Sequence, residues 1–191
     1  MQSKTLQKYQ VVLGSKSPRR QQFLKDLGLE FKTLSIDCEE VYDSSLKASQ
    51  ITEFLCQKKS KATILKDNEL LITADTIVWC LDSALEKPKN KQEAVEMLQK
   101  ISGHCHEVIT SICLRTNEKQ EVVTDKTKVY FNTLSLAEIN HYIDQYQPYD
   151  KAGSYGIQEW IGMIAVSKIE GSYTNVVGLP TEKLYKTLKK F

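Results

Sequence analysis

The residues with chemistry in reach fall in a few short stretches. One carboxylate, Asp75, interrupts the apolar, β-branched run Leu70–Cys80. A charge in such a run is costly unless something pairs with it. The plainer reading is a strand end, with Asp75 tied to a backbone amide or a lysine. Its company points further. Upstream lies Gly14-Ser15-Lys16-Ser17-Pro18-Arg19-Arg20; an acidic cluster, Asp37-Cys38-Glu39-Glu40, follows it. Lys87 stands before Pro88, and Lys151-Ala-Gly-Ser-Tyr-Gly-Ile-Gln158 brings two glycines, a lysine and a glutamine. Carboxylates, cations and glycine loops together fit a phosphate-handling pocket built round Asp75. In it, acidic side chains such as Glu40 are natural ligands for a divalent cation.

The elements that must position these residues alternate between strand and helix, which predicts an α/β domain. A strand ending at Leu13 feeds a turn and then a helix with Ser17 at its N-cap and Pro18 at its first position. Free backbone amides and the positive dipole end there suit an anion. No Gly-Lys-Ser/Thr follows, so it is not a Walker loop, and a solvated helix start is the bland alternative for Arg19 and Arg20. Phe31–Ile36 reads as a second strand. The next helix starts near Ser49, with Ile51, Phe54, Leu55, Ala62 and Leu65 inward. Lys59 lies beside that face, placed either to snorkel to solvent or to reach a pocket. The strand holding Asp75 ends at Leu81, and the chain returns through Leu85. Lys87 is held extended by the proline after it. Asn90 and Glu93 mark a helix start, and Gly103 its stop. Residues 106–114 and 122–131 pair as strands, and Ser135-Leu-Ala-Glu138 opens a capped helix. Residues 161–169 read as a strand, 175–180 as a connector, and the final helix presents Leu184, Leu188 and Phe191 on one face.

Composition sets the outer bounds. The 191 residues suffice for one domain with a sizeable core. With 41% apolar and 26% charged residues the chain reads as an ordinary globular protein. A net charge of +2 offers no broad basic field for nucleic acid. No apolar run approaches the ~20 residues of a membrane span, and residues 1–10 are polar, so neither membrane insertion nor a leader is expected. Five cysteines, without a C-x-x-C pair, predict free thiols in a reducing compartment and a cytoplasmic protein. His104-Cys105-His106 has no matching second half, so no zinc site is expected there.

Read in order, Gly-Ser-Lys-Ser-Pro-Arg-Arg (14–20), Glu-Glu (39–40), Ala-Asp-Thr-Ile-Val (74–78) and Glu-Lys-Pro-Lys (86–89) resemble the Maf family of nucleoside triphosphate pyrophosphatases. So do Ser-Gly-x-x-His (102–106), residues 150–158 and Glu-Gly-Ser-Tyr…Asn-Val-Val-Gly-Leu-Pro (170–180). The matches span nearly the whole chain, and their combination is specific although no single motif is. The resemblance implies a single Maf/inosine-triphosphatase-like α/β domain over residues 1–191: a long mixed sheet flanked by helices, in two lobes around a cleft. It implies cleavage between the α and β phosphates, giving a monophosphate and pyrophosphate. Asp75 matches the family's catalytic acid, usually written as the proton acceptor. Arg19, Thr76 and Gln158 match positions tied to substrate choice, and Ser15, Arg20, Glu40, Lys59 and Lys87 match further pocket positions. Ile157-Gln158 resembles the branch acting on dTTP and UTP and not the one acting on 7-methyl-GTP. Lys16 and Ser60 stand where small residues are usual.

The resemblance carries further expectations. Glu40 and Asp75 hold a divalent metal, Mg²⁺ or Mn²⁺, while Arg19, Arg20, Lys59 and Lys87 offset the triphosphate charge. Asp75 takes the proton of the attacking water or places a metal whose bound water is acidified; sequence leaves both roles open. A homodimer is the family expectation. Two other functions share these features. A nucleotidyltransferase needs a Ser/Arg loop and metal-binding acids too, and a non-catalytic regulator of cell division would act through a protein partner.

Overall fold

The computed structural model of the protein describes residues 8–191. Among these, a seven-stranded sheet has the order β2-β1-β3-β5-β6-β7, with β4 paired to β3. The strands are β1 (Gln10–Leu13), β2 (Phe31–Thr33), β3 (Glu69–Cys80), β4 (Ser83–Leu85), β5 (Cys105–Arg115), β6 (Gln120–Phe131) and β7 (Val166–Glu170). β1 runs parallel to β2 and β3, whereas β4 pairs with β3 and β7 with β6 antiparallel, so the sheet is mixed. The helices are α1 (Pro18–Asp26), α2 (Ser49–Lys61), α3 (Lys91–Ile101), α4 (Leu136–Tyr146), α5 (Trp160–Ala165), α6 (Tyr173–Val177) and α7 (Thr181–Lys190).

The chain divides into two compact units. Among the described residues, the first takes 8–75, 110–125 and 178–191; the second takes 76–109 and 126–177. In the first, Val11 and Leu13 of β1, Leu70, Ile72 and Ala74 of β3, Ile112 and Leu114 of β5, Leu24 of α1, and Leu184 and Leu188 of α7 form the core. The three β3 residues share one face by the strand's period of two. In the second, Val78 and Cys80 of β3, Leu98 and Ile101 of α3, Val129 and Phe131 of β6, Ile139, Tyr142 and Ile143 of α4, and Tyr155 and Ile161 make a separate core. β3 is thus one strand with two cores, and the chain passes from the first unit to the second between Asp75 and Thr76.

Local signals explain the helix starts. The Ser17 hydroxyl accepts from the Arg20 amide at 3.5 Å, with Pro18 opening α1. Ser135 and Glu138 close a full capping box on α4. At α3 the cap is partial: Asn90 accepts from the Glu93 amide at 2.9 Å, but the Glu93 carboxylate accepts from the Lys89 amide, one residue early.

Residues 161–169 are not one strand. Residues 160–165 form α5, and only Val166–Glu170 is extended. Ile161 and Ala165 are buried four residues apart, the spacing of a helix face, and Gly162 fits against the Ile157 carbonyl, where a Cβ would lie 2.0 Å from its oxygen. A short apolar run leaves the two periods indistinguishable. Residues 173–177 are likewise helical, running into the 175–180 stretch expected as a connector, β2 stops at Thr33, and Phe54 of α2 is exposed.

Candidate active site

In the first unit, β3 and α2 are matched residue for residue. Thr73 and Asp75 point to the face opposite Ala74. The Thr73 hydroxyl donates to the Cys56 carbonyl at 2.7 Å, and the Lys59 ammonium reaches Asp75 Oδ1 at 2.5 Å. Two residues along the strand thus meet three along the helix, the repeat at which each element returns to the same face. Lys59 also pairs with Glu40 Oε1 at 2.8 Å. The irregular segment between β2 and α2 therefore brings a second carboxylate to the same ammonium. Asp75 and Lys59 are largely buried, while the Glu40 side chain is 45% exposed and can move.

Burial works against both charges of the Asp75–Lys59 pair. It pushes the Asp75 carboxyl above the usual carboxylate range, only partly offset by Lys59. For Lys59, burial pulls downward, but Asp75 and Glu40 together hold its ammonium above the ordinary value. Two anions share one cation, so the lysine keeps its proton firmly and Asp75 takes one more readily than an exposed aspartate.

Arg20 bonds to two backbone carbonyls and a side-chain hydroxyl. Its Nε donates to the Gly178 carbonyl at 2.9 Å. Its Nη1 donates to the Ala74 carbonyl at 2.9 Å and to the Ser15 hydroxyl at 3.4 Å. The guanidinium thereby fixes the residue before Asp75 and joins the Ser15 turn to it. Arg19 lies next in the chain, half-buried at the same helix start. Ser15, Arg20, Glu40, Lys59 and Asp75 are therefore gathered in one unit. Ser60, where a small residue is usual, is buried and accepts from Arg115 Nε at 2.9 Å. Arg115 Nη2 also takes the Ser60 and Thr63 carbonyls, capping the helix end that carries Lys59.

The second unit holds Thr76, Lys87 and Gln158. Gly153, at φ 67°, donates its amide to the Glu86 carbonyl at 3.1 Å and lies against Val78, whose Cγ2 would be 2.7 Å from any Cβ there. The glycine loop is thus seated on β3 two residues beyond Thr76 and bonded to the residue before Lys87. Its close approach is to the strand itself. Gln158 is exposed on a turn closed by the Glu159 amide on the Gly156 carbonyl at 2.9 Å.

Sequence reasoning missed the side chains that hold this loop. The Tyr142 hydroxyl donates to the Glu159 carboxylate and accepts from the Gly156 amide at 3.0 Å. Lys151 pairs with Asp150 at 2.7 Å and with Glu159 at 3.0 Å. Tyr155 Oη lies 2.8 Å from His106 Nε2, and both stack edge-on with Phe131. A tyrosine on the inner face of a helix reads as core, and only the loop's position reveals the second use of its hydroxyl.

A family model for Maf-like proteins matches residues 10–191. The dTTP/UTP pyrophosphatase of Flavobacterium johnsoniae is 53% identical over 190 residues, covering 98% of each chain. That of Flavobacterium psychrophilum is 50% identical over 187 residues, covering 97% of this chain and 96% of its own. A HAM1 protein structure from Coxiella burnetii superposes with a TM-score of 0.51 at 15% identity over 96% of this chain and all of that one, a likeness of fold alone. With the mixed sheet and the gathered Ser15, Arg20, Glu40, Lys59 and Asp75, the match over residues 10–191 places this chain in the Maf-like protein family.

Proposed function

We propose that the chain is a nucleoside triphosphate pyrophosphatase that hydrolyses dTTP and UTP to the monophosphate and pyrophosphate. Relatives of about half-identical sequence carry that activity in their names across nearly their full length. The observation that carries the reading in the molecule itself is the Asp75 carboxylate, buried and held at 2.5 Å by Lys59.

In the reaction, water attacks the α phosphorus in line. The new P–O bond forms as the bond to the bridging oxygen breaks, and pyrophosphate leaves with the electron pair. Asp75 accepts the water's proton. Its raised proton affinity suits a base working nearer neutral pH than an ordinary aspartate. Lys59, Arg19, Arg20 and Lys87 supply positive charge for the triphosphate. Ser15 orients the anion loop, and Thr76 and Gln158 select the base.

Glu40 and Asp75 fit a divalent cation. Both are hard oxygen donors already collected on one positive charge, and Glu40 is exposed enough to re-aim. Mg²⁺ or Mn²⁺ bound there would supply charge neutralisation for the phosphates and would lower the pKa of a bound water.

The test is a nucleotide panel of dTTP, UTP, CTP, ATP and 7-methyl-GTP with Mg²⁺ or Mn²⁺, the phosphate product being identified. The expected result is pyrophosphate from dTTP and UTP. Release of orthophosphate, or faster turnover of 7-methyl-GTP, overturns the reading. A nucleotide-sugar formed when a sugar phosphate is added assigns a transferase instead.

A further inference from the structure

Gln158 is an exposed side chain on a short turn, so its direction is set by the backbone that carries it. A single oxygen atom holds that turn on both sides of Gln158, by a backbone amide before it and a side-chain carboxylate after it. Tyr142 Oη accepts from the Gly156 amide at 3.0 Å, two residues before, and donates to the carboxylate of Glu159, the next residue. Tyr142 itself is fully buried in α4 and stacked on Tyr146 at a centroid distance of 5.1 Å. The oxygen therefore stands on a packed helix and not on the turn itself. Lys151 braces the outer side of Glu159 at 3.0 Å. Gly156 leaves room for this arrangement, since a Cβ there would lie 2.8 Å from Glu159 Cδ.

We propose that Tyr142 is a specificity-determining positioning residue, which aims Gln158 at the nucleotide base by fixing the 156–159 turn through its hydroxyl. The inference rests on the proposed pyrimidine triphosphate activity and on Gln158 reading the base. Discrimination by a hydrogen-bonding amide depends on placement, because a donor or acceptor left unpaired in a closed site is what rejects the wrong base. A loosened turn lets the amide follow either base. Loss of the hydroxyl should therefore cost activity on the preferred substrate and leave the poor one nearly unchanged. A purely structural defect lowers both together.

The experiment uses Tyr142→Phe, which keeps the ring and its packing, with two readouts on the full chain. Amide hydrogen exchange in the free protein should rise at least about tenfold over residues 156–160 and stay unchanged in β3. The UTP-to-CTP ratio of kcat/KM should fall about tenfold, through the UTP value. Glu159→Ala removes the phenol's acceptor and gives the same two readouts should Tyr142→Phe not fold. Unchanged exchange over 156–160 overturns the proposal whatever the substrate. Raised exchange with an unchanged ratio overturns it as well. If the parent enzyme itself shows no preference for UTP over CTP, the reading of the base site fails first, and the role assigned to Tyr142 fails with it.

Discussion

Lys59 Nζ sits 2.5 Å from Asp75 Oδ1 and 2.8 Å from Glu40 Oε1, so the proposed base and its neighbouring acid are held by one ammonium. Pairing with a lysine is the plainer use of a carboxylate in an apolar strand. Here it also serves the chemistry, because it keeps Asp75 in place before substrate arrives and supplies positive charge for the phosphates.

The two partners of that pair respond differently to substitution. Asp75→Asn keeps the shape and an oxygen for Lys59, and it removes a charge that burial disfavours. Turnover should fall at least ~10²-fold, the low end for a positioned acid/base group, with stability held or raised. A fully active Asp75→Asn enzyme refutes the assignment. Lys59→Met should also lower activity, but it leaves a buried carboxylate unpaired, at a cost of about 3 kcal/mol near neutral pH. Without the ammonium the Asp75 carboxyl rises further in the folded state. The folded state then binds the proton more tightly than the unfolded one. The Asp75 contribution in this variant is greatest at low pH and is lost as pH rises through the folded value. Urea denaturation at pH 5 and pH 8 should show the larger deficit at pH 8.

Arg20→Lys is not a conservative change. The guanidinium spans the Gly178 and Ala74 carbonyls at 2.9 Å each, and a single ammonium of shorter reach cannot take both as that planar fork does. Stability should drop by about 2 kcal/mol from the lost charge-assisted bonds. Activity should fall as well, because the Ala74 carbonyl immediately precedes Asp75. Thermal melts and kcat measured side by side check this; a variant with parental values of both removes Arg20 from the site.

His106 carries a pH dependence of its own. It is buried between Phe131 and Tyr155, and burial lowers its pKa to about 4. The unfolded state, near 6.5, then binds the proton more readily. The contribution of His106 is fully present above pH 6.5 and is lost as pH falls toward 4. Between pH 7 and pH 5 that amounts to about 2 kcal/mol. His106→Gln should flatten this part of the stability profile relative to the parent in urea titrations. An unchanged slope locates the titration elsewhere.

Much of this arrangement is legible in the residues. Ser17-Pro18 and Ser135…Glu138 announce their helices because caps are local chemistry. The run around Asp75 announces β3 because Ile72, Thr73, Thr76, Ile77 and Val78 are β-branched, which favours an extended chain. The α5 helix at 160–165 is not legible, since six apolar residues fit strand and helix alike until Ile161 and Ala165 are seen on one face. The union of Glu40 with Lys59 is hidden too. It depends on how an irregular segment folds back over α2, which no periodicity encodes. For Arg20, residue type and place in the motif point to phosphate, while its bonds to Ala74 and Gly178 are long-range and belong to the fold.

Gln158 gives the sharpest test of substrate choice. A uracil or thymine ring presents two carbonyl acceptors flanking one N–H donor. A side-chain amide, with one carbonyl and one NH₂, matches two adjacent groups of that edge. The two bases differ by a methyl group, worth roughly 1 kcal/mol at most if buried, so dTTP and UTP should be used within about an order of magnitude of each other. CTP puts an amino group where the 4-carbonyl stands, and a buried group then loses its partner. Gln158→Ala removes both halves of the amide while leaving the Gly156–Glu159 turn closed, since that bond is between backbone atoms. The preference for UTP over CTP should collapse, and activity on the better substrate should fall with it. Steady-state kcat/KM on the two nucleotides decides the matter: a Gln158→Ala enzyme that keeps the parental ratio has its base recognition somewhere else.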